Sequence, residues 1–295
     1  MKPCVNGAAA VCNSYIGGQD TQCTLCSFTE IIPDLTNPKN KQRWSDLEWA
    51  KRALLIQLRA LGLPPFQGEL QQRFPLKFRF LEDQIDEAGN TTHFYTGHDH
   101  GVITINVVEA DSVEREQARV NLSEPLRTLI GHMRHEVGHY FDFALASREF
   151  RSECVEIFGD PAGQDYETSK VRYYDAGPAA DWQSGFVSPY ASMHPWEDFA
   201  ETSRCYLELM ALLTTAADQG DVDPNTLNSI QTIVRRGLEI AVRASEYSRD
   251  LGLPALLHEQ FNEAVIVKLG FIHSLRQAKD FPVAQRMREK LNSGL

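Results

Sequence analysis

The chain has 295 residues, 42% hydrophobic and 23% charged, enough for one large domain or two smaller ones around a real core. Forty acids against 29 bases give a net charge of −11, and no run of five or more bases offsets it, so nucleic acid is not expected as a partner. No apolar run approaches the length of a membrane span and no leader pattern opens the chain, so no membrane contact and a cytoplasmic location are expected.

Cys4, Cys12, Cys23 and Cys26 crowd the N-terminal segment among Gly, Asn, Ser and Thr, with little apolar periodicity. Its core is too small to fold alone, and a metal would supply the missing free energy. In a reducing compartment the four thiols read as ligands of a structural zinc rather than as two disulfides. Cys23-Thr-Leu-Cys26 has knuckle spacing, although the gap from Cys4 to Cys12 is irregular. Residues 1–36 are therefore expected as a four-cysteine zinc segment, with free thiols or disulfides as the alternative, and 31–35 as a strap docking it to a main body of 37–295. Cys154 and Cys205, isolated in helical patterns, read as small core residues.

Asn37-Pro38 predicts a helix to about Leu61, with Trp44, Leu47, Trp49, Leu54, Leu55 and Leu58 as its apolar stripe, stopped by Gly62 and Pro64-Pro65. Residues 76–81 alternate, Ala88-Gly89-Asn90 turns, and 92–96 can return as a hairpin. Residues 101–108 alternate again, with Ile103, Ile105 and Val107 on one face, and are expected as an edge strand open to an extended peptide. A buried amphipathic helix of about 24 residues follows, capped by Ser123-Glu124-Pro125. Beyond it nearly everything is helical, over about 149–158, 164–176, 196–218, 225–250, 255–277 and 282–292.

The chemistry sits on that amphipathic helix, in Gly-His-Met-Arg-His-Glu-Val-Gly-His. His135 and His139 are one helical turn apart on one face, and Glu136 lies between them. This HExxH pattern suits two neutral imidazoles holding a catalytic Zn²⁺ and a glutamate that deprotonates its water. The plainer alternative is a surface helix with two histidines, which the apolar periodicity disfavours. A third ligand is needed. A histidine of the HExxHxxGxxH type is excluded by Tyr140-Phe-Asp-Phe-Ala-Leu-Ala, and Asp142 reads as a local hydrogen-bonding or solvent-facing residue. Glu197 and Glu201, i and i+4 in Pro195-Trp-Glu-Asp-Phe-Ala-Glu, share a face, so Glu197 is expected on the metal and Glu201 behind a ligating histidine. That spacing fits glutamate-ligand zinc peptidases, or gluzincins. Ala200 is then small because the two helices cross closely there. The alternative is an exposed acidic helix face. His194, before proline, reads as a capping or supporting histidine.

With these residues assembled, the chain resembles the Peptidase Mx family of zinc-binding metallopeptidases. The matching stretches are Cys12-Asn13, Cys23-Thr-Leu-Cys26, 32–35, Thr96-Gly-His98, 101–106, Glu124-Pro125, 131–140, Phe158-Gly-Asp160, Asp181-Trp-Gln183 and 190–202. The resemblance implies a zinc-ribbon-like N-terminus and a metallopeptidase domain. Members often carry a further CxxC…CxxC ribbon, and this sequence holds no such pair of pairs. Tyr190 stands seven residues before Glu197, as the active-site tyrosine does in lethal-factor-type gluzincins, which implies an oxyanion donor; a packed aromatic before a helix is the alternative.

The expected fold is an α+β zincin: a small antiparallel or mixed sheet and the HExxH helix above, a mostly helical C-terminal part below. The expected function is a zinc peptidase, a hydrolase of peptide or protein substrates with Glu136 as general base and Tyr190 in support. A non-catalytic zinc-stabilised interaction module and a zinc hydrolase of non-peptide amides are the rivals. Oligomeric state is left open.

Overall fold

Strict alternation in Lys-Phe-Arg-Phe-Leu and Val-Ile-Thr-Ile-Asn builds the two central strands of the sheet on which the molecule rests. The structure is a computed structural model, which describes residues 1–9, 11–85, 88–121, 127–255 and 260–276. In chain order, β1 (Lys2–Pro3) and β2 (Tyr15–Ile16) form a short antiparallel ladder, β3 (Thr29–Ile31) follows, and then α1 (Asn40–Leu61) and the single turn α2 (Leu70–Arg73). Next come β4 (Lys77–Leu81), β5 (Gln84–Ile85), β6 (Thr91–Thr92), β7 (Gly97–Asp99) and β8 (Val102–Asn106). The remainder is helical: α3 (Ser112–Asn121), α4 (Leu129–Ala144), α5 (Arg148–Phe158), α6 (Tyr166–Ala176), α7 (Pro195–Gln219), α8 (Ile230–Asp250) and α9 (Glu263–Ser274).

The main sheet runs β3-β4-β8-β7, the first three strands parallel and β7 antiparallel. Phe78 pairs with Ile103 and Phe80 with Ile105, all four buried. Fully burying such side chains stabilises by about 1.5–3 kcal/mol each. Residues 101–108 are thus not the edge strand: β8 lies inside the sheet and β7 takes the edge. A tight reversal forces this, with His100 at φ 45° and Gly101 at φ 88°, where a Cβ would collide with the Pro75 carbonyl. The strand also stops at Asn106, whose side chain caps a 3₁₀ turn at Val107–Ala110. The expected hairpin shrinks to β5 pairing with β6, apart from the main sheet.

The helix α1 packs Trp44, Leu47, Leu54, Leu55 and Leu58 inward and ends on left-handed Gly62, but Trp49 is 69% exposed because it falls on the opposite face. Gln57 of α1 accepts from Arg134 of α4 at 3.1 Å and donates to the Leu207 carbonyl of α7 at 2.5 Å, which ties the three helices together inside the core. The strap at 31–35 docks through Pro33, which is buried, while Ile31, Ile32 and Leu35 are exposed. Asn40 donates to the Asp34 carbonyl at 2.8 Å, and backbone pairing of β3 with β4 adds to the connection.

The HExxH helix is shorter than its periodicity suggests. Thr128 is extended, at φ −123° and ψ 152°, and its hydroxyl accepts from the Gly131 amide at 3.0 Å, so α4 starts at Leu129. The expected cap at Ser123 lies outside the described residues, as does the helix at 282–292. The pattern at 255–277 yields α9 alone among the described residues. No described helix is long and apolar enough to cross a membrane.

Candidate metal centres

Two crossed helices build the first centre. Gly138 of α4 lies against Ala200 of α7 so closely that a Cβ on Gly138 would stand 2.7 Å from the Ala200 Cα. The small residue expected at Ala200 therefore has a small partner opposite. This approach carries His135 and His139 from one helix toward Glu197 of the other. The three ligand atoms gather in one place: His135 Nε2 is 3.2 Å from His139 Nε2, and Glu197 Oε2 is 3.0 Å from the former and 3.5 Å from the latter. In tetrahedral coordination, zinc–nitrogen bonds of about 2.0–2.1 Å place neighbouring ligand atoms roughly 3.3 Å apart. Glu197 Oε2 is buried and faces the two imidazole nitrogens, so the donor set fits a cation.

Around this triad the supports are complete on one side. Glu201 Oε1 lies 2.8 Å from His135 Nδ1, and Ser188 Oγ donates to Glu201 Oε2 at 2.6 Å. Arg204 grips both Glu201 oxygens at 3.0 Å and reaches Glu208 at 3.0 Å. Burial opposes the ionised form of Glu201, but Arg204 and His135 outweigh it and hold its pKa well below the usual range. Burial would likewise lower His135; the hydrogen bonds with Glu197 and Glu201 prevail and raise it. The negative charge responsible is the charge that would hold a cation. Glu197 Oε1 accepts from the Tyr166 hydroxyl at 2.8 Å.

Glu136 is buried on the same stretch of α4. Its Oε1 faces His132 Nε2 at 3.4 Å, while Oε2 has no hydrogen-bond partner. Burial opposes its ionisation, yet His132, His135 and His139 keep its pKa below the usual carboxylate value. The Tyr190 ring lies 6.0 Å from that of His135, and burial followed by the charge of Glu197 raises the phenol's pKa, so it carries its proton at neutral pH. His194 caps α7 by accepting from the Trp196 amide at 3.2 Å, and its ring packs 5.3 Å from Tyr166. It touches the centre only through its neighbours. Asp142 turns away to an ion pair with Arg151, and Asp198 to Lys268 at 2.6 Å, so neither competes with Glu197. Trp196 covers His139, ring centroids 4.1 Å apart.

The second centre draws on four thiols that the β1–β2 ladder and the following loop bring within 4.8 Å of one another. Cys12 Sγ and Cys23 Sγ are 3.8 Å apart, the edge expected of a tetrahedron with zinc–sulfur bonds of about 2.3 Å. Backbone amides donate to sulfur, Cys23 N to Cys4 at 3.3 Å and Ser14 N to Cys12 at 3.4 Å. Arg52 of α1 places one guanidinium nitrogen 3.2 Å from Cys12, 3.5 Å from Cys23 and 3.7 Å from Cys26. The hydrogen bond from Cys26 comes first among the forces that draw Cys23 down to about 3, and Arg52 adds to it. All six cysteines are unbridged. Cys154 and Cys205 are buried, and burial raises both thiols, Cys154 to about 12, which suits core residues.

The sequence reading missed Tyr166, Ser188, Arg204 and Arg52. Only Arg204 left a trace, three residues after Glu201 on the same helix.

Comparison with known proteins agrees with this geometry. A family model described as "Putative zinc-binding metallo-peptidase" matches residues 40–275. Uncharacterized proteins of Mycobacterium tuberculosis and Mycobacterium bovis are 36% identical over 305 aligned residues, covering 97% of this chain and 86% of theirs. No solved structure matches. With crossed helices presenting His135, His139 and Glu197, and a match over most of its length, the chain belongs to the Peptidase Mx family.

Proposed function

We propose that the chain is a zinc-dependent peptidase of the gluzincin type, in which His135, His139 and Glu197 hold the ion and Glu136 is the general base. The observation that carries this reading is the free, buried Oε2 of Glu136, on the helix that supplies two of the three converging ligand atoms. A structural site has no use for an unpaired acceptor there, since leaving one buried costs about 1–3 kcal/mol. Zinc, when bound, polarises the scissile carbonyl and makes water acidic near neutral pH. Glu136 then takes the proton of the attacking water at Oε2 and returns it to the leaving nitrogen. The protonated Tyr190 donates to the oxygen on which charge develops. Glu201, pinned by Arg204 and Ser188, holds the ring of His135 and fixes its tautomer. The edge strand β7 supports a peptide substrate, because no described strand pairs with its outer side. The four thiols hold a second, structural zinc.

The test is digestion of a peptide library by wild type and Glu136→Gln, each loaded with zinc. Wild type should cleave in a chelator-sensitive way, and Glu136→Gln should keep its zinc and fold while losing cleavage by at least about 10³-fold. A wild type that cleaves no peptide but hydrolyses simple amides would shift the substrate class. One that does neither would leave an interaction module.

A further inference from the structure

The HExxH helix carries a third histidine, half-buried, that the reaction above does not use. His132 sits one turn before Glu136 on α4, so the two side chains share a face. Each of its ring nitrogens faces a carboxylate: Nε2 lies 3.4 Å from Glu136 Oε1, and Nδ1 lies 2.5 Å from Glu109 Oε2. Glu109 is itself fixed from several sides. Its Oε1 accepts from the Thr96 hydroxyl just before β7, Arg127 stands 3.8 Å from its Oε2, and Arg115 donates to its backbone carbonyl at 2.7 Å. Arg127 also approaches His132 Nδ1 at 3.3 Å. The ring is therefore anchored to the sheet side of the molecule before it meets Glu136.

We propose that His132 is a positioning residue for Glu136: a Thr96–Glu109–His132 clamp that occupies Oε1 and leaves Oε2 as the one acceptor free for the reaction. This rests on the peptidase reading. A glutamate on three rotatable bonds presents either oxygen, and a base misplaced by about 1 Å can cost up to about 10²-fold in rate. The His132–Glu109 pair alone would serve to join α4 to the loop after β8. It gives no reason for Nε2 to face the base, and that contact is what the clamp explains. The position lies one turn outside the HExxH motif.

The experiment measures kcat, KM and zinc content of zinc-loaded wild type, His132→Ala, His132→Gln and Glu109→Gln, together with the histidine ring ¹⁵N spectrum of Glu136→Gln. His132→Ala should lower kcat by about 10–100-fold with KM and zinc content unchanged. His132→Gln, whose amide can donate to Glu136 as Nε2 does, should recover much of that loss, and Glu109→Gln should fall between the two. The ring resonances of His132 should move in Glu136→Gln, with no substrate present. Unmoved resonances overturn the clamp, as does an unchanged kcat in His132→Ala. Loss of zinc with no recovery by Gln would reduce His132 to a residue of the fold. If wild type cleaves nothing while the resonances still respond to Glu136→Gln, the peptidase reading fails and the contact stands.

Discussion

The two ligand sets differ in what surrounds the point where they converge. The thiol set brings four ligands of one kind from a loop-rich segment, with amides and one guanidinium turned toward sulfur. Every coordination position is supplied by protein, which suits a site that holds a fold together. The His135–His139–Glu197 set brings three ligands of two kinds from regular helices that are already packed. Its unpaired neighbour is a carboxylate, which in the peptidase reading leaves one position for water with a base at hand. A metal can thus fold a loop in one place and be held by a finished scaffold in the other. The difference lies in who organises whom.

The sharpest test of that contrast is to remove one ligand from each set. The chain should carry two zinc ions. Glu197→Ala should remove one and abolish hydrolysis while the melting temperature changes little, because the crossing of Gly138 with Ala200 persists without metal. Cys23→Ser with Cys26→Ser should remove the other and unfold the N-terminal segment, seen as a lowered melting temperature, because that core needs its ion. Elemental analysis showing one zinc, unaffected by the cysteine changes, would mean that the four thiols hold no ion.

The next effect separates two tyrosines beside the helical set, Tyr166 on Glu197 and Tyr190 against the His135 ring. Tyr190→Phe should lower kcat by about 10²–10³-fold with KM and zinc content nearly unchanged, since an oxyanion donor acts in the transition state. Tyr166→Phe should instead weaken zinc binding, because its hydroxyl holds Glu197 Oε1. Full activity in Tyr190→Phe would leave that ring as packing.

Which parts were legible in the sequence follows from where each partner lies along the chain. His135 and His139, and then Glu197 and Glu201, each share a helix face by periodicity, so spacing alone could pair them before the two helices were known to cross. Even the Ala200 crossing could be read, since a small residue between two ligands' helices has few other uses. Tyr166, Ser188 and Arg52 reach the two centres from other elements, and no local pattern announces an approach made in three dimensions. The sheet order was hidden for the same reason. Alternation marked β4 and β8 as strands, but the reversal at His100 and Gly101 decided that β7 would hold the edge. The length of α4 was over-read because the apolar stripe runs on past a residue, Thr128, whose hydroxyl prefers to cap.

A smaller effect is expected behind His135. Glu201→Ala removes the partner of Nδ1 and leaves Arg204 with Glu208 alone. Zinc affinity at the catalytic set should fall about 10–100-fold, with the thiol set untouched. A competition titration with a chelator of known affinity reads both ions in one curve. Equal weakening at the two sites would show that Glu201 acts on the fold.

The counterpart at the other centre is Arg52, and its removal should be felt least. A tetrathiolate with a divalent ion keeps a net charge of about −2, and Arg52 is the cation whose guanidinium reaches three of the sulfurs. Its other nitrogen donates to Ser14 Oγ at 2.8 Å, so the side chain is held across the loop from α1. Against this, it is partly exposed, and water screens such a charge so that ion pairs of this kind are worth about 0.2–1 kcal/mol. Arg52→Gln should therefore weaken the thiol-bound zinc only about two- to fivefold in the same titration, with zinc at the catalytic set and the activity unchanged. A loss as large as that in Glu201→Ala would mean that the thiol set depends on its surroundings as heavily as the helical one does. The contrast drawn between a closed, self-sufficient site and a supported, open one would then fail.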